Sequence, residues 1–278
     1  MLYYLFGITG AESPLPKAPP LTIERITCGG LAALVERVPA SEYAPAALQE
    51  RLASLEWVAG AARRHESVLE RAMAGGAVIP ARLCTLFDDA EAVARSLEDG
   101  RYRFSATLDF LSGRFEWGVK VFCDEGRLDA ALCEDDPELL WLARSARSAS
   151  PGLAYVLEKK RDARRAQLRE ERVADVTSAL LDEISARTVA LREKPCLSAE
   201  LTGRSEPMVL NAAVLATRTD WEEVVGVVSD LAEDAPDGFS FETSGPWPAY
   251  SFADETGPED AAPSSRHAAP LLALGGAP

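Results

Sequence analysis

The chain has 278 residues, with 29 Lys and Arg against 44 Asp and Glu, a formal charge of 29 − 44 = −15. Such a charge argues against general binding to phosphate backbones or to anionic membranes. With 47% hydrophobic residues the chain has enough apolar material for one large domain or two ordinary ones. No apolar run approaches the ~20 residues of a spanning helix. The opening stretch Met1–Ile8 lacks the basic flank and small-residue cleavage pattern of a secretory signal.

In chain order, Leu2–Ile8 is expected to form a buried strand, with Gly7 and Gly10 at its end. The prolines between Pro14 and Pro20 mark a loop. Leu21–Thr27 alternates apolar and polar residues as a half-buried strand does, and Leu31–Val38 reads as a strand or a short helix. From Pro45 the period changes. Leu48, Leu52, Leu55, Ala59, Ala62, Leu69 and Met73 share one face of a long helix that stops at Gly75-Gly76. Ala77–Pro80 is a short apolar segment, an amphipathic helix starts at Asp88, and Phe104–Leu111 is a short helix.

Phe115–Phe122 alternates strictly and predicts a strand. A helical stretch with Leu139, Leu142 and Ala146 on one face follows, is interrupted at Ser150-Pro151-Gly152, and gives way to a long charged helix from Leu153 to about 187. Val189–Leu201 and Met208–Thr217 read as strands, Thr219–Glu223 as an acidic helix start, and Gly238–Thr243 as the last strand. The expected fold is α+β with two domains. Residues 1–112 form a mixed α+β domain, and residues 113–252 a modified ferredoxin-like (βαββαβ) domain carrying the long helix. Residues 253–278 are expected to be a disordered acidic tail, with Leu271–Leu274 as a segment suited to docking in a groove.

Catalytic and ligand motifs are missing. No dinucleotide, phosphate-loop, nucleophile-elbow or zinc-helix pattern is present. The five cysteines are scattered without a CxxC pair and the only histidines are His65 and His267, so no cofactor, metal site or nucleophilic triad is expected, and the thiols read as reduced and cytoplasmic. The residues left for an enzyme or ligand-binding regulator are His65, Glu66, Arg82 and Glu116, if the fold collects them. An ordinary structural role for His65 and an Arg–Glu ion pair are the simpler explanations.

Two other segments stand out. Glu158–Arg172 holds seven basic and four acidic residues, net +3. Its like charges at i, i+4 weaken a helix unless something faces them. Lys160, Arg161, Arg164, Arg165 and Arg169 are therefore either a solvated face or a docking stripe for an acidic partner. In Gly245–Phe252, two prolines stiffen a backbone that carries Trp247, Tyr250 and Phe252, which either pack on their own domain or anchor a partner.

Several segments in fixed order resemble the gas vesicle protein F/L family (GvpF/GvpL). They are Tyr4–Ile8, Leu31–Pro39, Trp57–Ala59 with His65–Leu69, Val78–Phe87, Glu116–Val121, Leu210–Ala213 and Gly245–Pro248. Cys84 stands where the family usually has Gly, and Val214 where it has an aromatic. The resemblance implies a two-domain α+β protein with a modified ferredoxin-like C-terminal domain. It also implies a non-enzymatic accessory or minor structural role in gas vesicle assembly, with the small hydrophobic shell protein and other accessory proteins as partners. Neither nucleic acid nor membrane is an expected partner, and the expected location is the gas vesicle and cytoplasm.

Overall fold

The computed structural model describes residues 1–20 and 22–253. The tail expected from 253 and the Leu271–Leu274 segment lie, beyond Ala253 itself, outside these described residues. The chain divides into two compact units. One is Met1–Glu116 with the described residues from Pro246 onward, and the other is Trp117–Gly245.

The first unit is built on β1 (Leu2–Gly10), β2 (Glu24–Cys28) and β3 (Leu31–Val38), followed by the one-turn α1 (Ala40–Tyr43), α2 (Pro45–Leu52) and α3 (Leu55–Met73). Then come β4 (Val78–Phe87), α4 (Ala90–Asp99) and α5 (Arg101–Leu111). The strands form one sheet in the order β2-β3-β1-β4, and all three neighbouring pairs are antiparallel. The expected single helix from Pro45 to Met73 is in fact two. Ser54 turns to extended backbone and its hydroxyl accepts from the Trp57 N–H, which starts a new helix. The apolar segment 77–80 is the start of a ten-residue strand, and 31–38 is a strand rather than a helix.

β1 is the centre of this sheet, and Tyr4, Phe6, Leu34, Val68 and Leu69 are fully buried around it. Between Leu5 and Gly7 the register of β1 slips against both neighbours. Against β4 it jumps from Leu5↔Thr85 to Gly7↔Pro80, so Ala81–Cys84 loop out of the ladder. A Cβ on Gly7 would lie 2.7 Å from the Ile79 carbonyl oxygen and 3.0 Å from Leu69 Cδ2. A backbone oxygen cannot step aside as a flexible side chain can, so any side chain here must displace the sheet backbone.

The second unit contains β5 (Phe115–Cys123), α6 (Glu125–Asp135), α7 (Pro137–Ser148) and α8 (Pro151–Ser185). It continues with β6 (Ala190–Glu193), the one-turn α9 (Ala199–Thr202), β7 (Met208–Ala216), α10 (Arg218–Asp234) and β8 (Phe239–Trp247). Its sheet has the order β6-β7-β5-β8, with β6 and β7 antiparallel. The strand expected over 189–201 stops at Glu193, because Pro195 has no N–H to give the ladder; its carbonyl instead accepts from Asn211 Nδ2 at 2.9 Å. Trp117 on β5 and Trp221 on α10 stack with ring centroids 4.8 Å apart and planes 8° apart, and Trp117 Nε1 donates to the Ala216 carbonyl.

Gly7→Ala is expected to destabilise the first unit by about 1–3 kcal/mol through overpacking against Ile79 and Leu69. Urea unfolding of the purified variant measures it, and an unchanged midpoint would show that the sheet yields at this crossing.

Candidate functional site

The charged stripe lies on α8, a helix of 35 residues in which only Leu180 and Ile184 are buried. Its cations face acids on the two preceding helices. Lys160 Nζ is 3.1 Å from Glu138, and Arg164 reaches both Asp136 and Glu138 at 3.4 Å. Arg165 Nε lies 3.2 Å from Asp129, which also accepts from Arg169 at 3.0 Å; Arg169 in addition pairs with Glu125 at 3.2 Å. Arg161 is near Asp162 on its own helix. Asp136 serves twice: Oδ1 caps α7 by accepting from the Leu139 N–H, and Oδ2 faces Arg164. The i, i+4 repulsion along α8 is thus offset by a ladder of carboxylates from α6 and α7. These partners were not singled out in the sequence. The signal was available in the acidic positions Glu125, Asp129, Asp136 and Glu138, but pairing across helices of unknown packing is not legible from spacing.

The aromatic segment closes the first unit. Phe252 is fully buried, and Pro248 and Ala249 are buried as well. Tyr250 remains 41% exposed, and its hydroxyl donates to Glu66 at 3.5 Å. Glu116, itself buried, grips the segment twice, accepting from the Ser251 N–H and from the Ser251 hydroxyl, each at 2.7 Å. The stripe and the aromatic segment therefore belong to different units.

The residues weighed for a ligand or enzyme site are all in the first unit. His65 is buried between two bonds: the Tyr4 hydroxyl donates to Nδ1 at 2.8 Å, and Nε2–H donates to the Ala81 carbonyl at 3.0 Å. This fixes a neutral ring, and burial lowers its pKa to about 4. The Tyr4 oxygen in turn accepts from the Cys84 N–H at 3.3 Å. Tyr4 and His65 thereby staple both ends of the looped-out Ala81–Cys84 segment to β1 and α3. Cys84 holds φ +62° there, a left-handed conformation that suits Gly, and burial pushes its thiol up to about 11. Arg82 is exposed on the same segment. Glu66 is pushed up to about 7, first by burial and then by the charges of Glu70 and Glu116. Glu66 and Glu116 thus share one neighbourhood, whereas His65 has both nitrogens committed to structural bonds with Tyr4 and Ala81.

A cleft of about 490 Å³ in the same unit is lined by Tyr43, Arg51, Trp57, Gly60 and Arg64 among others. Its two guanidinium groups are engaged, Arg51 with Glu42 at 2.9 Å and Arg64 with the Tyr43 hydroxyl at 2.6 Å. Among the described residues, no group of three or more His, Cys, Asp or Glu is placed to hold a metal ion, and no helix is long and apolar enough to cross a membrane.

The arrangement is one of exposed surfaces and internal braces, and comparison with known proteins gives the chain a family. The family model for the gas vesicle synthesis protein GvpL/GvpF matches residues 2–254, and the chain belongs to that family. It is 37% identical over 226 residues to gas vesicle protein L of Streptomyces sp. strain CB03234, an alignment covering 81% of this chain and 80% of that protein. It is 27% identical over 261 residues to gas vesicle protein F of the same strain, covering 91% of this chain and all of that protein. Crystal structures of GvpF from Anabaena sp. PCC7120 and Microcystis aeruginosa superpose with TM-scores of 0.70 and 0.62 at 19% and 20% identity. Each match covers 91% of this chain and 98% of the other, so these structures share its mixed α+β fold.

Two measurements check the electrostatics. Asp129→Ala leaves Arg165 and Arg169 without their shared carboxylate, and is expected to cost about 1 kcal/mol by urea unfolding at low salt, with less difference at high salt; a salt-independent cost would mean that Asp129 acts by packing. His65 and Glu66 should give opposite pH slopes. The folded pKa of His65, about 4, lies below its ordinary 6.5, so its contribution is lost as pH falls through that interval. The folded pKa of Glu66, about 7, lies above its ordinary 4.5, so its contribution is present at low pH and lost as pH rises from 4.5 to 7. Glu66→Gln removes the opposing slope, and stability is expected to fall more steeply than in the native protein between pH 6.5 and 4.5. Parallel curves would refute the assignment.

Proposed function

We propose that this protein is a non-enzymatic accessory or minor structural component of gas vesicle assembly. In this reading it acts in the cytoplasm and at the gas vesicle, binding the small hydrophobic shell protein, other accessory proteins, or both. The observation that carries the reading is the family match over residues 2–254. A strongly apolar shell subunit needs its surface covered before it is incorporated, and a chain of net charge −15 stays dispersed while doing so. The neutral, doubly bonded His65 supports the non-enzymatic part, since a general base needs a free nitrogen and a pKa near the working pH.

We also read the chain as two domains, the second a modified ferredoxin-like fold. Its strands in chain order, β5, β6, β7 and β8, lie in the sheet as second, third, first, fourth, and long helices connect the first to the second and the third to the fourth. The modification is that three helices, α6 to α8, stand where the split βαβ unit has one.

The test is co-purification of this chain with the gas vesicle shell protein and with other gas vesicle accessory proteins, at low and high salt. Retention of at least one of them is expected. Failure to retain any would overturn the assembly reading.

A further inference from the structure

Four of the large hydrophobic side chains that stand exposed fall within one stretch of the second unit. They are Trp141 on α7 (56% exposed) and Leu153, Tyr155 and Val156 on α8 (53, 62 and 59%). The turn between these helices is only Ala149-Ser150, and Pro151 at the first position of α8 restarts the helix at once, so α7 and α8 form a tight hairpin. The carboxylate ladder fixes which faces meet. Lys160 and Arg164 both reach Glu138. Stepping toward the turn at helical spacing, the α8 row continues from Lys160 to Val156 and Leu153, and the α7 row from Glu138 to Trp141. Both rows therefore run along the same side of the hairpin, and beyond the last ion pair they turn from charged to apolar.

The surroundings of this apolar end are basic. Residues 141–160 carry Arg144, Arg147, Lys159 and Lys160 against Glu158 alone, net +3 in a chain of net −15. Lys159 lies 5.9 Å over the Tyr155 ring and Lys160 pairs with Glu138, whereas Arg144 and Arg147 are exposed and make no ion pair among the described residues. Exposed apolar side chains cost solubility, and unpaired guanidinium groups beside them select the sign of whatever covers them.

We propose that the turn end of the α7–α8 hairpin is the docking surface for an amphipathic helix with acidic flanks on a partner protein. The partner helix lays its apolar side against Trp141, Val156 and Leu153 to make a third helix on the hairpin, and its carboxylates meet Arg144 and Arg147. The assignment rests on the assembly reading above and names the surface through which it works. Lys160 and Arg164 tie α8 to α7, Arg165 and Arg169 tie it to α6, and the turn end lies beyond these pairs.

The probe is a fluorescent synthetic peptide of about five helical turns built from Leu, Ala and Glu, with a twin in which Lys replaces every Glu. Saturable binding of the Glu peptide to the full chain at low salt is expected, with no binding of the Lys twin. Trp141→Ser with Val156→Ser, and separately Arg144→Glu with Arg147→Glu, should each weaken it about tenfold or more. All four positions are exposed, so melting curves should be unchanged. The proposal is overturned if the Glu peptide does not bind or if neither pair of substitutions affects it. It is also overturned if vesicles containing phosphatidylserine bind through these residues and the peptide does not, which would make the surface lipid-facing. Co-purification of native shell or accessory protein with the substituted chains separates the two readings: retention without peptide binding sinks this surface and leaves the assembly role standing.

Discussion

The interaction on which the second unit depends is the facing of α8 by the carboxylates of α6 and α7. A helix of 35 residues with two buried side chains cannot be held by apolar burial along its whole length. Its basic rows repel themselves, and the repulsion becomes attraction only because Asp129, Asp136 and Glu138 stand opposite. These groups are partly buried, with Asp129 at 19% and Arg169 at 26% side-chain exposure, so the pairs are less screened than ordinary surface ion pairs. The ladder sets the register of the hairpin, and the register decides that Trp141, Leu153 and Val156 end on one side beyond it.

The first unit answers a different constraint. β1 is central and apolar, but it carries a tyrosine hydroxyl into a dry core, where an unsatisfied polar atom costs about 1–3 kcal/mol. The chain Cys84 N–H to Tyr4 to His65 to the Ala81 carbonyl satisfies every member and uses the imidazole as a two-sided connector. A consequence is the looped-out segment 81–84, whose ends are pinned while Arg82 stays outside. The residues after Gly245 are tied to the same unit by Glu116 and by burial of Phe252, so the chain returns to its starting unit within the described residues.

These two arrangements use polar and charged side chains as braces between elements. The polar groups in the cores are used in pairs that hold elements at fixed distances, and the chemically open features are exposed side chains. Affinity from exposed surfaces of this make-up comes from a few apolar anchors and matched charge.

The amino-acid sequence by itself determined which segments are strands and helices wherever a period was sustained. β5 follows from strict alternation and the buried face of α3 from spacings of three, four or seven, whereas β1 and β7 follow from short apolar runs that the fold buries on both faces. It also carried the family, since Tyr4–Ile8, Val78–Phe87 and Gly245–Pro248 stand in fixed order. Tertiary structure alone decided what each exposed-looking group does. Whether Arg164 and Arg169 are free depends on acids 26 to 44 residues earlier in the chain, at Glu138, Asp129 and Glu125, and no local spacing encodes that meeting. The same holds for His65, whose partners come from positions 4 and 81. It holds for Phe252, which reads as an anchor in sequence and is core in the fold. Long-range pairing is a property of how faces pack, and packing is settled by the sum of many burial choices rather than by the residues on either side of a motif.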